Sequence, residues 1–412
     1  MMSLARRLID FFALKRGIVA LLGMVILVGM GERMAERFLP IYLMALGGGA
    51  MIIGLLSGLQ NLLGALYSFP GGYLSDRIGT KRALLVFNLM AMIGFVIVIL
   101  VPSIYAVLLG AFFFLAWSAI SLPATMGLVA RILPSNKRTM GVSMHSLVRR
   151  IPMSLGPLLG GMFIGIWGEV QGVRLAFAAA LLMAIVAAIL QQVLIEDDRK
   201  SGVPDGSPTA EKNPVRLFRL MNSDMKNLLV SDILIRFCEQ IPYAFAVVWA
   251  MKTISAPVTA FEFGILTTVE MATAVLCYIP VAYYADKTQK KPFVVATFVF
   301  FTIFPLILLA SQSFWWLALA FFVRGLKEFG EPTRKALIMD LAPKGREAAM
   351  FGLYYLIRDT IVSIAAFGGS LLWLVSPTTN FLTAFAFGVI GTIWFALRGK
   401  DLSYRPTVPA VK

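Results

Sequence analysis

The chain is short of almost everything a soluble catalyst uses. It has one histidine, His145, and two cysteines, Cys238 and Cys277, in 412 residues. One imidazole excludes a multi-histidine metal centre. Both cysteines fall inside apolar stretches with no CxxC spacing, which excludes a zinc cluster and a disulfide framework. Charged residues make up only 14 %, against about 25 % in soluble domains. There is no GxxxxGK[ST] phosphate loop, so an ATP-driven pump of that type is excluded. No pore-loop segment argues for a channel, and no catalytic cluster faces either surface, so the chain is not expected to be an enzyme. Alternating segments of about ten residues, the mark of a membrane β-barrel, are missing too.

What the chain has is apolar length. Hydrophobic residues reach 59 % and mean hydropathy is +0.82. Apolar stretches of about 20 residues or more read as membrane-spanning helices. Twelve are expected, at 17–45, 51–74, 83–102, 104–132, 139–166, 173–195, 227–251, 258–284, 292–311, 313–339, 348–374 and 378–397. They are numbered spans 1 to 12. Residues 1–16 read as an amphipathic N-terminal segment, 17–195 and 227–397 as two six-helix bundles, 196–226 as a Pro/Gly/Ser-rich linker, and 398–412 as a tail.

The net charge of +15 is a topology signal. Of 37 Lys and Arg, 27 lie in the termini, in the connections after the even-numbered spans or at the span ends that border them, two (Arg174 and Lys252) lie at the other side, and eight lie deeper within spans. The positive-inside rule places both termini and the linker in the cytoplasm. A nucleic-acid surface does not fit that distribution.

The two halves repeat. PGGYLSDRIGTKRALL at 70–85 aligns with PVAYYADKTQKKPFVV at 280–295. Arg150 and Gly160-Gly161 align with Arg358 and Gly368-Gly369, Pro123 with Pro332, and Pro134 with Pro343. Arg33-x-x-Glu36 in span 1 aligns with Arg236-x-x-Glu239 in span 7. Six spans per half make the repeats parallel, related by an axis along the membrane normal.

With these residues, the chain resembles the major facilitator superfamily over nearly its whole length. Gly72, Asp76, Arg77, Gly79, Lys81 and Arg82 match the family's loop signature after span 2. Asp286, with Lys287, Lys290 and Lys291, keeps its charges in the second copy. Gly156, Pro157, Gly160 and Gly161 match the end of the span-5 signature of the family's proton antiporters, with Pro152 where that signature has an earlier glycine. Span 4 lacks the family's arginine. The resemblance implies an all-α integral membrane fold of two pseudo-symmetric six-helix bundles working by alternating access. It also implies a conformational gate at Gly72, Asp76, Arg77, Gly79, Arg82, Asp286, Gly156, Pro157 and Gly160.

Ionisable residues at membrane depth cost about 2.5–3.5 kcal/mol each on insertion scales, so they map a polar interior. Glu32, Glu36, Glu239, Glu270, Glu328 and Asp359 are candidate proton-coupling groups. Arg33, Arg37, Arg150, Arg236, Arg324 and Arg358 are candidate substrate-binding groups, since a guanidinium grips a carboxylate or phosphate in fork geometry. Salt bridges that merely hold helices together are the alternative reading. Asp232, Arg236 and Glu239 form a ladder along span 7, and Glu270 shows no partner on its own helix beyond Thr267 or Thr268. Gly330 and Pro332 predict a break in span 10. Arg334, Lys335 and Asp340 read as a solvated helix end.

Proton-coupled efflux of a small amphipathic or anionic solute from a prokaryotic cytoplasm is the leading expectation, with the protein a monomer in the inner membrane. The transmembrane proton gradient would supply the energy, with no cofactor and no metal; the partners are the solute and the bilayer. Coupled uptake of an organic anion is the second reading. A lipid or lysolipid flippase, or a sensor on the same scaffold, is a third of a different class.

Overall fold

The computed structural model describes residues 16–114, 148–194, 214–287, 290–343 and 347–400; for 68–77 and 278–287, among others, it describes the backbone alone. Every regular element among the described residues is helical. Among the described residues, eight helices are long and apolar enough to cross a membrane, and Ile104–Phe114 and Phe314–Leu326 are shorter apolar helices. Most of span 4, with Pro123, Pro134 and His145, lies outside the described residues.

The chain divides into two compact units. The first comprises Met1–Pro204 and Ala244–Met271, so the far parts of spans 7 and 8 pack with residues of the first sequence half. The second comprises Asp205–Tyr243 and Ala272–Lys412.

In the first unit, span 1 is helical over Arg16–Glu36 and again over Leu39–Ala45. The step at Arg37–Phe38 follows from Pro40, which lacks an N–H and disfavours helical geometry just before it. Spans 5 and 6 run together as Arg150–Leu194, interrupted only at Gly168 (φ 78°, ψ 174°). That conformation suits a residue with no Cβ. Spans 1 and 5 touch backbone to backbone. A Cβ on Gly156 would lie 2.6 Å from Cβ of Arg33, and one on Gly160 would overlap the Met34 carbonyl. Phe95, Phe114 and Phe177 join spans 3, 4 and 6, with ring centroids 5.5–6.0 Å apart.

The second unit is built on span 7, helical over Ser223–Tyr243. Its core holds Leu228, Ile235, Phe298, Leu337, Met350, Tyr354 and Phe395. Asn380 of span 12 donates to the Ile241 carbonyl (3.2 Å) and the Gly369 carbonyl (2.7 Å), tying spans 7, 11 and 12 together. Span 10 breaks as the sequence predicts. Phe314–Leu326 ends, four residues turn, and Glu331–Leu341 begins. The turn is stitched by short-range bonds from Lys327, Glu328 and Phe329 to the carbonyls three residues back, at 2.9–3.2 Å. Gly330 N–H is taken up by Thr297 Oγ1 of span 9.

Candidate functional site

The ladder on span 7 meets the broken span 10. Arg236 Nη1 donates to Glu239 Oε2 at 2.6 Å, and Lys327 Nζ donates to Glu239 Oε1 at 2.9 Å. Both carboxylate oxygens of Glu239 are therefore held, one by a cation of its own helix and one by a cation of the turn in span 10. Arg236 and Lys327 share the face of Phe301, at 5.3 and 5.8 Å from its centroid. Arg324, one turn before Lys327, is enclosed by Tyr243, Phe304 and Phe321 at 5.0–5.8 Å and is 3 % exposed.

Closer to the linker end of span 7 lies a second, drier knot. Oδ2 of Asp232 accepts from Arg334 Nη1, from the Tyr354 hydroxyl at 3.1 Å and from Arg358 Nη1 at 3.3 Å. Arg334 turns its other edge to Glu331, with Nη2 to Oε1 at 2.7 Å and Nε to Oε2 at 3.1 Å. Glu331 also receives Arg236 Nη2 at 3.4 Å, which joins the knot to the Glu239 group. Arg358 completes its fork on Asp359 at 2.7 Å, at the half-exposed margin.

This corrects the expectation for Arg334. The sequence places it on a solvated helix end with Lys335 and Asp340, yet it is 1 % exposed and among the largest fully buried side chains. Lys335 and Asp340 are exposed as expected. Arg334 lies on the face of Glu331–Leu341 that meets Asp232, while Lys335, about 100° round the same helix, turns away. Tyr354 carried no sequence signal of its own. The i,i+3 spacing of Glu331 and Arg334 was the signal for a pair there.

In the first unit, Arg33 and Glu36 pair at 2.8 Å, as their i,i+3 spacing predicts. Glu32 is buried, and Arg149 lies within electrostatic reach of both it and Arg33. Glu270 gains a partner from another helix: Arg37 Nη2 approaches it at 3.8 Å, with the guanidinium 5.9 Å from the Phe263 centroid. Arg150 and Glu328 are half-buried.

The Major Facilitator Superfamily profile matches residues 21–257 and 228–410. The chain belongs to the Major Facilitator Superfamily. Among curated superfamily relatives, the quinolone resistance protein NorA of Staphylococcus aureus is 29 % identical over 178 residues, 43 % of this chain and 44 % of NorA. The uncharacterized MFS-type transporter YfkF of Bacillus subtilis is 28 % identical over 138 residues, 33 % of this chain and 35 % of YfkF. Each match thus spans less than half the relative's length. A solved POT family transporter in complex with 5-aminolevulinic acid superposes with a TM-score of 0.75 at 15 % identity, over 93 % of this chain and 95 % of that one. The nucleoside transporter NupG gives 0.75 at 14 % identity, over 93 % and 100 %. At such identities the likeness is one of fold.

The superfamily signatures fall on defined backbone. Gly72, Asp76 and Arg77 lie in the helix Ala50–Ile78, and Asp286 lies in Ala260–Lys287; their side chains are outside the described residues. Gly79 takes φ 89° between two helices, where a side chain would be strained. Arg82 is exposed. Lys81 donates to the Gln192 carbonyl at 2.8 Å, while Gln191 returns a bond to the Lys81 carbonyl at 2.7 Å, so this lysine closes the end of span 6. In the superfamily's span-5 signature, Gly156 and Gly160 admit span 1. Gly161 and Pro157 abut span 8: a Cβ on Gly264 would lie 2.8 Å from the Pro157 carbonyl oxygen, and one on Gly161 would overlap the Ala260 carbonyl.

Proposed function

We propose that this protein is a proton-coupled secondary transporter that exports a small amphipathic solute by alternating access. The observation that carries this reading is Glu239, a mid-span carboxylate held by Arg236 and Lys327 beside a helix break. Such a group is bistable. Ionised, it holds Lys327 and therefore the turn of span 10. Protonated, it releases a cation whose backbone is already unwound. A cargo with a donor or positive end can replace the proton on Glu239, so the two compete, and competition at one site is the requirement of exchange. The printed name of the NorA relative, a resistance protein, supports export. The protein is read as a monomer of the prokaryotic inner membrane with both termini cytoplasmic. The proton gradient is its energy source, and it uses no cofactor.

One feature favours the second reading, uptake of an organic anion. Protonating Glu239 frees Lys327 and loosens Arg236, which keeps Glu331 at 3.4 Å, and an anion would then bind with the proton rather than against it. By linkage, each ligand would tighten the other. Glu36, paired with Arg33 at the equivalent place in span 1, would serve as a second coupling group.

Thermal-shift screening of the purified protein at pH 6 and pH 8, against a quinolone, organic anions, organic cations and lysolipids, separates these readings. A hit at 100 times its Kd adds about 2.7 kcal/mol. Proteoliposomes loaded with the hit then report flux under an imposed proton gradient. Export predicts that uphill flux runs against the proton and vanishes in Glu239→Gln with the protein still folded. Flux running with the proton for an anion establishes the second reading. Unchanged coupling in both Glu36→Gln and Glu239→Gln removes the assignment. A lysolipid as sole hit moves a flippase to first place.

A further inference from the structure

The face opposite the linker has two basic residues where the linker face has 27. Lysine there works against the topology signal, so each of the two calls for a role. Arg174 has a structural one: its Nε and Nη2 close the Ile99 carbonyl at the end of span 3, at 2.9 and 2.7 Å. Lys252 does something else. Its Nζ donates to Oε1 of Glu169, which follows Gly168 in the turn between spans 5 and 6. The pair joins residues 83 apart in sequence, both in the first compact unit.

The segment bearing Lys252 is jointed. Span 7 loses its regular helix at Ala244, two residues after Pro242, and continues as Phe245–Val248. It then widens into a π-helical turn, Trp249–Thr253, closed by Ile254 N–H to the Trp249 carbonyl at 3.2 Å. π-turns are rare and concentrate at functional positions. Below Tyr243 the helix belongs to the second unit, and above it to the first.

We infer that Lys252 and Glu169 form a latch that holds the far arm of span 7, residues 244–253, onto the turn between spans 5 and 6 and so keeps that end of the transporter shut. The inference rests on the alternating-access reading. In a cycle of that kind the end opposite the linker opens once per turnover, and the arm, jointed at Ala244, is the part that swings. An exposed pair of this kind biases a two-state equilibrium on the order of twofold to fivefold. That is enough to set the resting state and weak enough to release in every cycle.

The test is external accessibility. Ala246, 1 % exposed within the arm, is replaced by cysteine and labelled in intact cells with a membrane-impermeant maleimide, the parent protein giving the background. Lys252→Gln and Glu169→Gln are each expected to raise the initial labelling rate about twofold to fivefold. Lys252→Arg is expected to leave it near the parent value, and the exchange Glu169→Lys with Lys252→Glu to restore it. Unchanged labelling in both neutral variants overturns the latch, as does an exchange variant that labels as fast as the single variants. A second measurement avoids the reporter: joining the pair Glu169→Cys and Lys252→Cys with a short bis-methanethiosulfonate cross-linker, which spans the length of the lost side chains, should stop the flux of the solute found above, and continued flux through the cross-linked protein overturns the latch. Labelling needs no solute, so the absence of any transport would count against the transport reading while leaving the latch measurable.

Discussion

Replacing Asp232 with asparagine should unfold the second unit far more readily than neutralising Glu239 or Asp359. The side chain keeps its shape and retains an oxygen to accept from Tyr354, so only the charge is lost. Two guanidiniums, Arg334 and Arg358, then face one another with no carboxylate between them, and a third, Arg236, stands 3.9 Å from the same group. At an effective dielectric of about 20, one unit charge at the 3.3 Å of Arg358 corresponds to roughly 5 kcal/mol. Desolvation of the intact pair offsets much of that, and measured losses for breaking a buried pair are about 3–5 kcal/mol. For a unit of this size the melting temperature should fall by roughly 6–20 °C. Glu239→Gln should cost less, because Arg236 keeps Glu331 at 3.4 Å, and Asp359→Asn, at the exposed margin, should cost under about 1 kcal/mol. Thermal unfolding of the purified protein, followed by intrinsic tryptophan fluorescence, orders the three variants. Adding Arg358→Gln to Asp232→Asn should recover part of the loss. An Asp232→Asn protein within 2 °C of the parent, a margin well below the roughly 6 °C floor of the expected fall, would refute the idea that this knot is a fixed brace.

Other substitutions report on other joints. Gly160→Leu should abolish folded expression, because its side chain would have to occupy the Met34 carbonyl; size-exclusion chromatography of the detergent-solubilised protein checks this. Thr297→Val should cost about 1–3 kcal/mol by orphaning the buried Gly330 N–H, read as a lower melting temperature. Glu270→Gln should weaken the hold of span 8 on Arg37 with little loss of stability, and hydrogen exchange of residues 260–271 should rise only modestly.

Much of this was legible from residue pattern alone. Apolar runs mark the helices, the paired Arg-x-x-Glu motifs mark both halves, and Gly330-x-Pro332 marks the break in span 10. Spacing along one helix constrains partners on that helix, so Arg33–Glu36 and Arg236–Glu239 were within reach of sequence reasoning. Partners from other helices were not. Glu270 finds Arg37, and Arg334 finds Asp232, only once helices pack. Arg334 looked solvated because its neighbours Lys335 and Asp340 are. Successive helical residues point about 100° apart, so the arginine turns inward while the lysine beside it turns out, and no hydropathy average registers that difference.

The brace in span 7 also sets an order of events during synthesis. Asp232 enters the membrane with only Arg236 of its own helix beside it, since Arg334 follows 102 residues later and Arg358 follows 126 residues later. At about 5–20 residues per second, Arg358 is roughly 6 to 25 s behind Asp232 on the ribosome. For that interval a span with three ionisable groups, whose most apolar 18-residue stretch reaches a mean hydropathy of only 1.3, has no finished protein to shelter it. Span 7 gains its full set of partners only when spans 10 and 11 emerge. The second half of the chain is thus locked onto span 7 last, and a ribosome that stalls before Arg334 leaves Asp232 with Arg236 alone.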